Sequence, residues 1–109
     1  MDHSYQDRVS LEMNRRIAER LPSHPEWLLT ARDNLARWKR LNADAPGLIR
    51  CYEEWEVLLE LPLPEICAIL TAETDRSQRL RTNSPFAGAL APQEVWEIKR
   101  RFLNDQSAA

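Results

Sequence analysis

Apolar residues recur every three or four positions along most of the chain, the spacing of one buried face of an α-helix. In a first predicted helix, from about Tyr5 to Leu21, the stripe is formed by Val9, Met13, Ile17 and Leu21. Pro22 ends this helix. Pro25 favours the first turn of a second helix, where its missing N–H costs nothing, and we predict that this helix reaches about Leu41.

The middle of the chain continues the pattern. A third helix, predicted to follow the loop 42–47 and reach about Glu60, has a wide apolar face of Leu48, Cys51, Tyr52, Trp55, Leu58 and Leu59. We predict a fourth helix from about Pro64 to Thr71 and a fifth from Glu73 or Thr74 to Arg81. After the stretch 82–91, which carries no charge, Pro92 opens a last helix to about Leu103.

Composition agrees with this pattern, because the chain has only two glycines among its 109 residues and few of the β-branched runs that strands favour. The expected fold is all-α, a compact single-domain bundle of five or six helices over residues 1–109. Residues 1–5 and 104–109 are expected to be frayed.

Charge is unevenly distributed although the net charge is only -2. Between Asn42 and Asp75 the only basic residue is Arg50, and this acidic segment is flanked by regions with a basic excess. Such a segment is typical of a solvated helix face, and an acidic surface for a basic partner is the alternative. The small net charge gives no general attraction to nucleic acid.

The sequence predicts neither secretion nor a membrane span. No apolar run approaches the ~20 residues that cross a bilayer, and the amino terminus lacks the form of a signal peptide. We therefore expect a cytoplasmic protein without membrane contact. Cys51 and Cys67 fall on separate predicted helices without metal-ligand spacing, so we interpret them as buried thiols and expect no metal or cofactor.

Catalytic residues are not indicated by any pattern in the sequence. His3 lies near the amino terminus, and His24 lies at a helix start, where a capping or surface role is common. We expect the protein not to be an enzyme. The four tryptophans, Trp27, Trp38, Trp55 and Trp96, lie on or beside apolar stripes and are expected to pack between helices, with Trp27 the most exposed.

The strongest candidate for a partner-binding site is a run of arginines that leads into the uncharged loop: Arg76, Arg79, Arg81, Ser84, Pro85, Phe86 and Gly88. In one interpretation, Phe86 is an exposed anchor surrounded by arginines, as at many protein interfaces. In the other, Phe86 and Leu90 pack into the core while the arginines are solvated or pair with the acidic segment.

Two further functions stay open at this point. Residues 63–70, followed by a turn and the arginine-bearing segment, faintly resemble the opening of a helix-turn-helix, which would make nucleic acid the partner. The acidic stretch before this segment and the lack of a glycine in the turn weigh against that reading. A homodimeric scaffold that uses a leftover helix face is the third alternative.

The carboxy-terminal half, and above all residues 80–96, LRTNSPFAGALAPQEVW, resembles small bacterial helical proteins that act as antitoxins in toxin–antitoxin pairs. The resemblance implies a cytoplasmic protein that neutralises a toxin by occluding it, and it brings no catalytic motif. In this reading Arg76, Arg79 or Arg81 would pair with toxin carboxylates while Phe86 fills an apolar pocket.

Overall fold

Six α-helices follow one another in the computed structural model, which describes residues 4–108 and the side chains of residues 4–104. They are α1 (Ser4–Arg20), α2 (Trp27–Leu41), α3 (Pro46–Leu58), α4 (Leu63–Thr71), α5 (Asp75–Arg81) and α6 (Pro92–Ala108), with a 3₁₀ turn, Leu21–Ser23, between the first two. No strand occurs between residues 4 and 108, and the predicted all-α bundle is confirmed.

The helix boundaries follow from local chemistry. Pro46 and Pro92 are the first residues of α3 and α6, where a residue without an N–H is tolerated. Thr74 caps α5, since its Oγ1 accepts a hydrogen bond of 3.1 Å from the Ser77 N–H. The differences from prediction lie at helix ends: α3 stops at Leu58, two residues early.

The terminal helices are longer than the pattern predicted. Ser4 and Tyr5 already belong to α1, and α6 continues past Leu103 to Ala108, so these residues are helical where fraying was expected. The fraying predicted for residues 1–3 and for Ala109 falls outside the described residues.

The first helix lies at the centre of the arrangement. It packs against α4, α5 and α6, while α2 pairs with α3. Every helix and the loop 82–91 contribute to one cluster of buried apolar side chains, among them Ile17, Leu35, Trp55, Leu70, Leu80, Phe86 and Ile98. Because the last helix packs on the first, the loop that precedes α6 is drawn back over the middle of the molecule.

The tryptophans differ in how far they are exposed. Trp55 is fully buried, whereas Trp27 is half-buried and stacks on the ring of His24 at a centroid distance of 4.8 Å. Trp96 is the exposed one, at 52% of its surface, so the prediction that Trp27 is the most exposed is wrong. The reason is the turn before α2, which folds His24 over the indole of Trp27.

Cys51 and Cys67 are free and half-buried, and burial raises the pKa of the Cys67 thiol. Over the described part of the chain, no helix combines the length and the apolar character needed to cross a membrane.

Candidate partner-binding groove

The uncharged loop 82–91 folds inward. Pro85, Phe86 and Leu90 are buried, and Phe86 is only 1% exposed. The interpretation of Phe86 as an exposed anchor is therefore wrong, and the alternative, in which Phe86 and Leu90 belong to the core, is confirmed. The physical reason is that burying an aromatic side chain is favourable by about 2 kcal/mol or more, and no charge in this loop opposes it.

Two asparagines from other helices hold the loop in place. The Asn34 Nδ2 on α2 donates hydrogen bonds to the carbonyl oxygens of Pro85, at 2.9 Å, and Ala87, at 3.2 Å. The Asn14 Oδ1 on α1 accepts a hydrogen bond of 3.1 Å from the Ser84 hydroxyl. Gly88 has a φ of +90°, a conformation that other residues adopt only at a cost, so a glycine is needed where the loop turns back.

The three arginines of the predicted site do not share one face. Residues three apart on a helix lie close together, whereas a residue two further along points away. Arg76 and Arg79 accordingly lie together on the surface and reach Glu54 of the acidic segment, at 3.4 and 3.3 Å. Arg81 points inward instead, so the predicted ring of arginines around Phe86 is not formed.

Arg81 is a buried cation, with 6% of its surface exposed. Its Nη1 donates hydrogen bonds to the carbonyl oxygens of Leu70, at 3.3 Å, and Ala72, at 2.5 Å, at the negative end of α4. Burial lowers the pKa of the guanidinium from its ordinary value. Within residues 4–104, no carboxylate oxygen lies within 4.0 Å of its nitrogens.

Next to Arg81 lies an open groove of about 510 Å³ between α1, the loop after α5 and α6. Its floor and walls are largely apolar, and three residues of the predicted site, Arg81, Ser84 and Phe86, belong to its lining. The full lining consists of Tyr5, Gln6, Val9, Ser10, Met13, Asn14, Ile17, Arg81, Thr82, Ser84, Phe86, Ala87 and Lys99. Pro85, Gly88, Arg76 and Arg79 lie outside it.

The charges of the groove are of one sign. The lining contains two cations, Arg81 and Lys99, and no aspartate or glutamate, in a chain that has 17 acidic residues. Lys99 is exposed, and within the described side chains neither cation forms an ion pair. The groove is therefore an apolar surface with a local positive charge on a protein whose net charge is negative.

An ion-pair network beside the groove fixes α6 on α1. The carboxylate of Glu94, at the start of α6, accepts hydrogen bonds from Arg16 at 2.9 Å and from Arg20 at 2.7 Å. These bonds to Arg20 and Arg16 lower the pKa of Glu94 to about 2. Both partners lie on α1, so the network sets how α6 is placed against it.

We expect this network to make the free energy of unfolding depend on pH in the acidic range. The pKa of Glu94 in the folded protein lies below its ordinary value of 4.5, so the stabilisation is complete above about pH 5 and is lost as the pH falls towards 2. Glu94→Gln should lower the free energy of unfolding by about 1 to 2 kcal/mol at pH 7, since the arginines are partly exposed. Urea denaturation of the wild type and of Glu94→Gln at several pH values measures this difference in the free energy of unfolding.

The control for that experiment is Glu53→Gln, which removes an exposed carboxylate on the neighbouring helix α3. The control variant should match the wild type throughout. A difference between wild type and Glu94→Gln that stayed constant from pH 7 to about pH 2 would contradict the role given to this carboxylate.

A second surface feature lies on the outer side of α6. Trp96 and Leu103 are each more than half exposed, and their spacing of seven residues places them on the same side of the helix. The guanidinium of Arg100, between them, lies over the Trp96 ring at 5.1 Å. This face is apolar with a cation in the middle.

No set of histidine, cysteine, aspartate and glutamate side chains within the described residues is grouped so that it could hold a metal ion. His24 is exposed, and its Nδ1 lies 2.9 Å from the Glu26 Oε1. It therefore has the surface role that the sequence indicated.

Neither the two asparagines nor the α1 wall of the groove was predicted from the sequence. The burial of Asn34 could have been predicted, because this polar residue lies between Ala31 and Trp38 on the apolar stripe of α2. A polar side chain that is buried there needs a hydrogen-bond partner. Asn14 is likewise a buried polar residue on the inner side of α1. Nothing in the sequence, however, shows that both amides bind the same distant loop.

Comparison with known proteins adds no relative to this picture. No protein-family model, no curated protein sequence and no solved structure matches the chain.

Proposed function

We propose that the protein is a protein-binding module that receives an apolar segment of its partner in the groove between α1 and the loop after α5. The biological role that fits best is that of an antitoxin-like protein, which neutralises a bacterial toxin by occluding it. The groove carries this proposal: it is open and largely apolar, and it is wide enough for several side chains of a partner.

The construction of the groove supports binding without a large rearrangement. One wall is a long helix, and the other is a loop whose backbone is held by Asn34 and whose Phe86 is packed in the core. A wall that is already ordered loses little conformational entropy when a partner binds. Burial of apolar surface in such a groove supplies the favourable free energy.

The test is co-purification with the protein encoded by the adjacent gene, using a variant that fills the groove. Ala87 is exposed and lines the groove, so Ala87→Trp puts a large side chain into it without disturbing the core. We expect the affinity to fall at least about tenfold, or ~1.4 kcal/mol. Isothermal titration calorimetry with the purified partner measures the change.

The matched control is Ala43→Trp, which adds the same side chain at an exposed position in the loop between α2 and α3, outside the groove. It should bind as the wild type does. Equal binding by both variants, or the absence of any complex with the product of either neighbouring gene, would reject the proposal.

A homodimer through α6 is the second candidate, because Trp96 and Leu103 leave an apolar face of that helix exposed. Light scattering distinguishes the two. A homodimer predicts twice the chain mass of 12.7 kDa without any second protein, and its mass would not respond to Ala87→Trp.

A further inference from the structure

We propose that the segment bound in the groove carries a carboxylate beside its apolar side chains, so that an acidic amphipathic segment of a protein partner is the occupant. This inference rests on the proposed function and specifies the chemistry of the partner. It is carried by the two cations of the lining, Arg81 and Lys99, and by the absence of any acidic residue from it.

Arg81 retains donors for such a group. Both of its carbonyl bonds are made by Nη1, whereas a guanidinium has three further N–H donors on Nε and Nη2. Within the described residues, no fully buried side-chain nitrogen or oxygen lacks a hydrogen-bond partner. The Nε and Nη2 of Arg81 are therefore in reach of solvent, and the groove is the cavity that Arg81 lines.

The surroundings of Arg81 do not supply a counter-ion. The helix end that it caps offers partial charge only, and the carboxylates whose charge it senses, Asp7 and Glu73, lie beyond ion-pair distance. Arg15 adds a further positive charge nearby. A carboxylate that entered the groove would meet a cation in a partly desolvated place, where charge-assisted hydrogen bonds are strong.

Lys99, on α6, supplies the second charge. The Tyr5 hydroxyl donates a hydrogen bond of 3.2 Å to the Lys99 carbonyl oxygen, which ties the start of α1 to α6 beside the groove. The exposed ammonium of Lys99 is a mobile cation that can follow a bound carboxylate. Arg81 on α5 and Lys99 on α6 thus each add a positive charge to a largely apolar lining.

Acidic side chains line a neighbouring depression. It shares Gln6 and Thr82 with the groove and is lined by Asp7, Asp75 and Arg79, and its Asp7 carboxylate accepts a hydrogen bond from Gln78. Charge therefore changes sign along the surface from one depression to the next. A partner segment would be oriented by this change, with its carboxylate on the side of Arg81 and Lys99.

The experiment selects binders from a displayed library of random peptides about 16 residues long, long enough to form an amphipathic helix, against the full chain. Selection is repeated on Lys99→Glu and on the control Arg40→Glu, which makes the same charge change at an exposed position of α2. We expect wild type and Arg40→Glu to enrich peptides with Asp or Glu beside apolar residues. Lys99→Glu should lose that enrichment.

The affinity of the protein for one selected peptide is then measured. Replacing its acidic residues by the matching amides should weaken binding at least about tenfold. The conservative variant Arg81→Lys, which keeps the charge, should bind the peptide more strongly than Arg81→Met. Circular dichroism of both Arg81 variants shows whether the fold is kept. If neither Arg81 variant folds, the comparison of Lys99→Glu with Arg40→Glu alone tests the inference.

The outcomes separate this inference from the proposed function. If Ala87→Trp blocks the peptides but the peptides show no preference for acidic residues, the inference that the bound segment carries a carboxylate is rejected. The groove then remains a binding site. Peptides that ignore Ala87→Trp, or a library that yields none, would overturn both. Displacement of the acidic peptide by decanoate at equal affinity would show that a free fatty acid, not a protein segment, is the occupant.

Discussion

Phe86→Ala is expected to lower the free energy of unfolding by about 3 to 5 kcal/mol, the range for removing a large buried aromatic side chain. Phe86 is 1% exposed and belongs to the same core as residues from all six helices. Since small domains are stable by only about 5 to 15 kcal/mol, this loss would remove a large fraction of the stability of the protein. Urea denaturation followed by circular dichroism measures the loss.

The control for Phe86 is Trp96→Ala, which removes an aromatic side chain that is half exposed. This variant should lose no more than about 1 kcal/mol. A Phe86→Ala protein that kept its stability but no longer bound its partner would contradict the burial of this residue and restore it as an exposed anchor.

Trp55→Ala is expected to have a similarly large effect, about 3 to 5 kcal/mol. Trp55 is fully buried, and its indole Nε1 donates a hydrogen bond of 3.0 Å to the Leu80 carbonyl oxygen. This bond joins α3 to the end of α5, just before the loop. The loss of stability should appear as a lower urea concentration at the midpoint of denaturation.

Trp55→Phe separates packing from hydrogen bonding. It keeps an aromatic ring and removes the N–H donor, while the Leu80 carbonyl still accepts a bond from the Asn83 backbone N–H. A loss of about 1 to 2 kcal/mol is therefore expected. If Trp55→Ala cost no more than Trp55→Phe, the indole would contribute little packing, contrary to its burial.

The helices could be predicted because their information is local. The stripe Val9, Met13, Ile17 and Leu21 repeats on one face, and prolines mark helix starts, so α1 and α6 begin within a residue of the predicted position. Helix ends were less accurate, since no residue type stops α6 at Leu103. The continuation to Ala108 follows from the helix-compatible residues that come after it.

The loop could not be predicted in the same way. Phe86 lies in a stretch without periodicity, so the sequence left open whether its side chain points inward or outward. The inward position depends on Asn34, 52 positions away in the chain, and on the packing of α6 against α1. Such long-range contacts leave no local pattern.

The arginines were an intermediate case. Helix geometry alone separates Arg81 from Arg76 and Arg79, once the helix is known to begin at Asp75. That Arg81 caps the end of α4 and then lines a groove required the three-dimensional structure. The groove itself joins parts of the chain about 70 or more positions apart, such as Met13 and Ser84, and was not foreseeable.

The central claim, that a partner occupies the groove, is tested most directly by methyl NMR at Met13. The chain contains two methionines, Met1 and Met13, and Met13 lines the groove, so ¹³C-methyl labelling of methionine gives two signals that a Met13→Leu variant assigns. Adding the partner protein should shift or broaden the Met13 signal, and Ala87→Trp should abolish that response. A complex that forms while the Met13 signal stays unchanged would contradict the claim.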